Sequence, residues 1–128
     1  FPDKNTQSYE DKIREKGGID LCILGIGTNG HIAFNEPGSS FESRTRVVDL
    51  SEQTIQDNSR FFDSIDDVPT RAITMGLGTI MESKRILVMA QGKKKKGILD
   101  KAMFGKITEK IPASILQTHD NMEAFYCD

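Results

Sequence analysis

A histidine and a carboxylate lie five positions apart in a glycine-rich segment that follows an apolar run. The apolar run occupies residues 21–24, and the pair is His31 and Glu36. An imidazole in a polar loop stays partly solvated, and a nearby carboxylate accepts a hydrogen bond from one ring nitrogen and fixes its tautomer. This arrangement suits general acid/base catalysis. On residue types alone, a purely structural hydrogen bond within the loop explains the pair equally well.

The same segment contains a literal G-x-G-x-x-G at residues 25–30, which is the fingerprint of dinucleotide-binding loops. Asp49 follows about 20 residues later, where an acid could bind a ribose. The fingerprint requires its last glycine to open a long helix whose N-terminus faces the pyrophosphate. Here the sequence Asn-Glu-Pro-Gly-Ser-Ser at residues 35–40 would break such a helix early. A dinucleotide site is therefore the weaker interpretation.

Strand-like and helix-like segments alternate along the chain, as is typical of an α/β domain. Apolar runs predict strands at residues 21–24, 45–50, 72–75, 85–90 and 122–127, and the segments that precede or separate them predict helices at 7–16, 51–62, 76–81, 94–104 and 112–116. Residues 25–43 predict a long functional loop, because they are rich in Gly, Asn, Pro and Ser. We expect a mainly parallel sheet flanked by helices, with the strand at residues 21–24 buried on both faces and the sites in the loops that follow the strands.

Size and composition exclude several classes of protein. The 128 residues suit one domain, 1–128, with a formal net charge of −2 from 17 Lys plus Arg and 19 Asp plus Glu. A hydrophobic content of 37% excludes a disordered or fibrous chain. The balanced charge gives no reason to bind nucleic acid or an anionic membrane. The chain begins at Phe1 without an initiator Met, which suggests a fragment of a longer chain.

The remaining reactive and aromatic side chains are expected to be structural. Cys22 and Cys127 show no metal-ligand spacing, which predicts reduced, buried thiols in a cytoplasmic protein. His119 is expected on a surface loop. Phe61 and Phe62 are expected on the inner face of a helix.

Residues 24–50, and above all the string GHIAFNEP at 30–37, closely resemble the glucosamine-6-phosphate deaminase family. Its members convert glucosamine 6-phosphate and water into fructose 6-phosphate and ammonia. The resemblance continues through NSRFF, VPTRAITMGLGTIM, the glycine–lysine turn near residue 92 and the closing FYCD. It implies a Rossmann-like α/β fold of the type shared by ribose-5-phosphate isomerase and CoA transferases. It also implies a sugar-phosphate ligand, no metal, no organic cofactor and a possible homo-oligomer.

The resemblance assigns roles to individual residues. His31 matches the group that opens the sugar ring by moving a proton between the anomeric hydroxyl and the ring oxygen, and Glu36 matches the acid that works with it. Asn29 matches a position where some members carry an aspartate in a relay with the histidine and others an asparagine. An amide orients the ring without adding charge. Arg60 and Lys95 match positions that hold the substrate phosphate.

Two parts of the family pattern are incomplete in this sequence. Ser39, Ser40 and Arg46 match positions with which allosteric members bind an acetylated sugar phosphate, but Val48 stands where those members carry a lysine. The family's N-terminal part, with a glycine-rich phosphate loop and the aspartate that removes the C2 proton, has no counterpart. The resemblance therefore implies the C-terminal part of such an enzyme, and we expect the isolated chain to be inactive or nearly so.

Two other functions stay open. 6-Phosphogluconolactonases also follow a glycine loop with Gly-His, but they lack the Asn-Glu-Pro found here at residues 35–37. A sugar-phosphate-binding sensor would retain the pocket without chemistry, although the intact His31 and Glu36 argue against that. Lactone hydrolysis would indicate the first function, and binding without turnover would indicate the second.

Overall fold

The computed structural model describes residues 5–128, in which helices separate the successive strands except the first two, which a long loop joins. The strands are β1 (Leu21–Gly25), β2 (Arg46–Asp49), β3 (Arg71–Thr74), β4 (Arg85–Gln91) and β5 (Met122–Cys127). The α-helices are α1 (Thr6–Glu15), α2 (Glu52–Asn58), α3 (Leu77–Met81) and α4 (Lys93–Phe104). Short 3₁₀ helices occupy Ser59–Phe61, Ile65–Asp67 and Pro112–Thr118.

The central sheet is parallel, with the strand order β1-β4-β5. Its register pairs Leu21 with Arg85 and Ile86 with Met122. The prediction of a mainly parallel sheet flanked by helices is confirmed. Strands β2 and β3 form a separate antiparallel ribbon, which the alternation of elements did not predict.

The core lies against one face of the parallel sheet. Alternate residues of β1 and β4 point into it, and α3, α4 and the last 3₁₀ helix cover it. The buried apolar side chains that form this core are those of Cys22, Leu24, Ile26, Ile32, Leu77, Ile80, Ile86, Val88, Ala90, Leu99, Ala102, Ala113 and Leu116. Alternation with the pleat of the strands explains why every second side chain is buried.

The opposite side of the sheet is not covered by the described residues. We call it the open sheet face, and it presents the exposed side chains of Leu21, Ile23, Met89 and Phe125. Ile23 is 61% exposed. The prediction that the strand at residues 21–24 is buried on both faces is therefore wrong for residues 5–128, because helices pack on one side of the sheet only.

Helix α1 is attached to the domain by a buried carboxylate. Glu10 accepts hydrogen bonds from the Thr45 N–H at 2.8 Å, the Thr79 hydroxyl at 2.5 Å and the Arg44 guanidinium at 2.9 Å. Burial by itself raises the pKa of Glu10, but the hydrogen bonds from Thr79, Thr45 and Arg44 outweigh it and lower the pKa to about 2. The buried side chain of this helix is therefore that of Glu10, whereas Tyr9 is exposed.

The structure also tests the expected environments of the aromatic pair, the two cysteines and His119. Phe61 and Phe62 are 69% and 40% exposed, because α2 ends at Asn58 and the aromatic pair falls in the irregular segment beyond it. Cys127 is exposed, whereas Cys22 is buried as expected. His119 is structural: its Nε2 lies 2.7 Å from the Ser83 carbonyl oxygen.

Among residues 5–128, no helix has the length and apolar character needed to cross a membrane.

Candidate active site

A cavity of about 340 Å³ lies at the carboxyl end of β1, as expected for a parallel α/β sheet. Its walls come from the loop after β1, from α2 and the turn that follows it, and from the start of α4. The lining residues are Gly25, Ile26, Gly27, His31, Ala33, Phe34, Thr54, Asp57, Asn58, Arg60 and Lys95. The structure thus brings His31, Arg60 and Lys95 to one cavity, although they lie far apart in the sequence.

The loop after β1 folds back so that His31 lies over Gly27. The Gly27 N–H donates to the His31 carbonyl oxygen at 2.8 Å, and a Cβ atom at position 27 would collide with the imidazole ring. Gly30 has φ of +87°, a conformation that favours glycine. Residues 28–30 form a turn and no helix starts at Gly30, so the glycines shape a tight loop around the histidine. This arrangement removes the basis for the dinucleotide interpretation.

The amide of Asn29 lies between His31 and Glu36. The His31 Nδ1 is 2.6 Å from the Asn29 Oδ1, and the Asn29 Nδ2 donates to the Glu36 Oε2 at 2.9 Å. The His31 Nδ1 and the Glu36 Oε2 are 3.8 Å apart. We expected the carboxylate to accept directly from the ring, but Asn29 accepts instead, because its position two residues before His31 places it closer.

This chain of hydrogen bonds fixes the tautomer of the ring. A carboxylate only accepts hydrogen bonds, so the Asn29 Nδ2 must face Glu36 and the Oδ1 must face His31. The same Oδ1 also accepts from the His31 backbone N–H at 3.2 Å. The neutral ring therefore carries its hydrogen on Nδ1. Nε2 keeps its lone pair, and no hydrogen bond from residues 5–128 reaches it.

Burial lowers the pKa of His31 below its usual value of 6.5. The charge of Lys95 lowers it further, whereas the carboxylates of Glu36 and Asp57 act in the opposite direction. The His31 side chain is 18% exposed, so it is neither fully solvated nor sealed in the core. A ring of this kind is mostly neutral at neutral pH and accepts a proton at Nε2.

Thr54, Asp57 and Asn58 of α2 line this cavity, and sequence reasoning missed all three as site residues. The Thr54 hydroxyl donates to the Glu36 Oε1, and Asp57 lines the cavity one helical turn later. Thr54 and Asp57 are three residues apart in a helix that Ser51 caps, and residues with this spacing share one face of a helix. This spacing was the only sign in the sequence that both could face the same site. The sequence predicted a helix that starts at residue 51, but not the side of that helix that faces the loop.

The two expected phosphate ligands reach the cavity from different elements. Arg60 is exposed, with its guanidinium 4.7 Å from the centroid of the Phe61 ring. Lys95 is half-buried, and its Nζ donates to the Ile26 carbonyl oxygen at 2.5 Å. Both cations line the cavity, and no hydrogen bond from residues 5–128 reaches the Arg60 guanidinium.

Ser39, Ser40 and Arg46 do not line this cavity. The Ser39 hydroxyl donates to the Glu36 carbonyl oxygen at 2.6 Å, and the Ser40 Oγ accepts from the Glu42 N–H at 3.2 Å. Arg46 donates to the Oδ1 of the buried Asn35 at 3.0 Å. Their polar groups form hydrogen bonds within or to the loop that carries Glu36. Among residues 5–128, no cluster of three or more His, Cys, Asp or Glu side chains is arranged to hold a metal ion.

Comparison with known proteins assigns the chain to a protein family. The family described as glucosamine-6-phosphate isomerases/6-phosphogluconolactonase matches residues 1–125. The chain belongs to this family. A relative within it, the glucosamine-6-phosphate deaminase of Oceanobacillus iheyensis, is 58% identical over 91% of this chain and 46% of its own length. A second deaminase, from Clostridium botulinum, is 58% identical over 88% of this chain and 46% of its own length.

Solved structures of the glucosamine-6-phosphate isomerase/6-phosphogluconolactonase family agree with the fold. A monomeric glucosamine-6-phosphate deaminase superposes with a TM-score of 0.93 and 49% identity, over 96% of this chain and 51% of its own. A 6-phosphogluconolactonase from Thermotoga maritima gives a TM-score of 0.68 at 23% identity, over 96% of this chain and 50% of its own, and shares the fold. The chain spans about half the length of the curated relatives it matches.

Proposed function

We propose that this chain supplies the ring-opening half of a glucosamine-6-phosphate deaminase. The observation that carries the proposal is the His31–Asn29–Glu36 chain of hydrogen bonds, whose histidine lines a cavity that two cationic side chains also line. The identity of more than half to curated deaminases supports the choice of an amino-sugar phosphate as substrate. A cytoplasmic location and assembly into a possible homo-oligomer are part of the same proposal.

In the proposed first step, the Nε2 of His31 removes the proton from the anomeric hydroxyl of the pyranose. The bond between C1 and the ring oxygen breaks as the C1 carbonyl forms, and the imidazolium returns the proton to the ring oxygen. Asn29 holds the Nδ1–H throughout, and the Glu36 carboxylate, 3.8 Å from Nδ1, stabilises the transient positive charge. A pKa below 6.5 keeps the ring ready to accept the proton at neutral pH.

Arg60 and Lys95 would hold the substrate phosphate. A guanidinium recognises two phosphate oxygens at once, and an ammonium adds a point charge. Lys95 lies in the first turn of α4, where backbone N–H groups also favour an anion. The exposed Arg60 is available because its guanidinium only stacks on Phe61.

The later steps need a base that removes the C2 proton and a water molecule that releases ammonia. We propose that this base belongs to the part of the deaminase relatives that lies outside their match to this chain. The 128 residues alone should then release ammonia far more slowly than the complete site, although they should retain the geometry around His31.

The test is a chimera in which this chain replaces the aligned segment of the Oceanobacillus iheyensis deaminase. We expect the chimera to release ammonia from glucosamine 6-phosphate and a His31→Gln chimera to lose at least about 100-fold in kcat. A folded chimera without ammonia release, beside an active parent enzyme, would contradict the proposal. Hydrolysis of 6-phosphogluconolactone would indicate the lactonase, and calorimetric binding without turnover would indicate a sensor.

A further inference from the structure

We propose that Thr54 is a positioning residue for His31, and that it couples helix α2 to the ring-opening step. This inference rests on the proposed function for its kinetic consequence, but its geometric content is independent of the substrate. Thr54 lies on α2, whereas Asn29, His31 and Glu36 lie on the loop after β1. We call the hydrogen-bonded chain of His31, Asn29 and Glu36 the relay. The hydrogen bond that the Thr54 hydroxyl donates to Glu36 joins α2 to this relay.

The hydrogen-bond directions around Thr54 follow from the chemistry of its neighbours. The Glu36 carboxylate only accepts, so the Thr54 hydroxyl donates to the Glu36 Oε1. Its oxygen then accepts from the Ser51 hydroxyl at 3.0 Å, and the Ser51 Oγ accepts from the Thr54 N–H at 3.1 Å. The Thr54 hydroxyl is thereby fixed from both sides.

The Glu36 carboxylate receives one donor on each oxygen. Thr54 donates to Oε1, and Asn29 donates to Oε2 at 2.9 Å. If the Oε1 donor is removed, the carboxylate is free to rotate about its terminal torsion, which has a broad energy minimum. Rotation would take Oε2 away from Asn29, whose amide would then lose the contact that sets its orientation toward His31.

The burial of Thr54 distinguishes this hydroxyl from surface threonines. Thr54 is 3% exposed, yet it lines the same cavity as His31. A buried hydroxyl that donates to a carboxylate forms a strong hydrogen bond, because the acceptor is charged. We therefore expect its removal to act through the relay rather than through the loss of contact area.

The kinetic test compares Thr54→Val, which keeps the shape, with Thr54→Ser, which keeps the hydroxyl, in the deaminase chimera. Thr54→Val should lower kcat about tenfold with KM within about twofold, and Thr54→Ser should restore most of kcat. An unchanged kcat in Thr54→Val, or an equal loss in both variants, would overturn the proposal. If the valine variant does not fold, Thr54→Cys, whose thiol is a weak donor, takes its place.

A double-mutant cycle separates positioning from simple tethering of α2. If Thr54 acts through Glu36, Thr54→Val should change kcat less than about twofold in a Glu36→Gln background. Additive losses would show that Thr54 only stabilises the fold and would overturn the proposal.

A spectroscopic measurement on the 128-residue chain tests the geometry without any assay of activity. The ¹⁵N chemical shifts of neutral His31 should report the Nδ1–H tautomer in the unaltered chain and in Thr54→Ser, and a mixture of tautomers in Thr54→Val. Unchanged shifts in Thr54→Val would overturn the positioning role. An inactive chimera with the expected shifts would contradict the proposed function alone.

Discussion

The Nδ1 atom of His31 lies 2.6 Å from the Oδ1 atom of Asn29, and the Glu36 carboxylate lies behind that amide instead of touching the ring. Asn29 is therefore the direct partner of the imidazole. Replacing it by leucine, which has no acceptor, should lower kcat of the deaminase chimera about 100-fold, because the tautomer is no longer fixed. Asn29→Asp keeps an acceptor and should remain within about tenfold of the unaltered chimera. If Asn29→Leu has the same kcat as the unaltered chimera, the His31 imidazole needs no hydrogen-bond partner at Nδ1.

Glu36→Gln should also lower kcat of the chimera, on the order of 10²-fold. Asn29 and Thr54 donate to different oxygens of Glu36, so a glutamine in the same place must turn its NH₂ group toward one of these donors. Glu42→Gln, an exposed change on the same loop, is the matched control and should leave kcat unaltered. If both variants keep the original rate, Glu36 only stabilises the loop.

The charges around His31 predict opposite pKa changes for two substitutions. Lys95→Met removes a positive charge and should raise the pKa of His31, whereas Asp57→Asn removes a negative charge and should lower it. Because the free base must be neutral, the acidic limb of kcat/KM should move to higher pH in Lys95→Met and to lower pH in Asp57→Asn. NMR titration of the 128-residue chain measures both shifts, with the exposed Lys94→Met as control. Shifts in the same direction would contradict this electrostatic description.

A methyl group at position 27 should displace the imidazole. Gly27→Ala places a Cβ atom against the His31 ring, and a misplacement of this kind costs about 100-fold in kcat/KM. Gly97→Ala is the control, because a Cβ there meets no atom within 4 Å in α4. Steady-state kinetics of the two chimeras should differ accordingly, and full activity of Gly27→Ala would show that the loop yields easily.

The buried Glu10 should make folding stability depend on pH. A pKa that falls from 4.5 to about 2 on folding corresponds to about 3 kcal/mol of stabilisation above pH 4.5, which is lost as the pH falls toward 2. Denaturant unfolding at pH 7 should therefore show a loss of about 2 to 3 kcal/mol in Glu10→Gln and a smaller loss at pH 3. Glu15→Gln, exposed on the same helix, should show little change at either pH. A pH-independent difference would assign the effect to packing.

The sequence predicted those features that depend on neighbours along the chain. The glycine and proline content of residues 25–43 predicted the loop that carries His31, and Ser51 predicted the start of α2, where its side chain accepts from the Thr54 N–H. The apolar runs predicted the strands of the parallel sheet. Local chemistry decides these features, so no knowledge of the tertiary structure was needed.

Features that depend on distant segments were not predictable. The partners of Glu10 lie 34, 35 and 69 residues further along the chain, and a charged residue on a short helix gives no sign of them. The order of His31, Asn29 and Glu36 depends on how the loop folds, and the contact with Thr54 depends on where α2 packs. Periodicity also cannot show whether both sides of an apolar strand are covered.

The open sheet face has a practical consequence for handling the 128 residues alone. Leu21, Ile23, Met89 and Phe125 expose nonpolar side chains on adjoining strands, and two copies placed front to front would shield them from water. Solubility, more than the strength of the fold, should then set the highest usable concentration in a titration or an NMR tube.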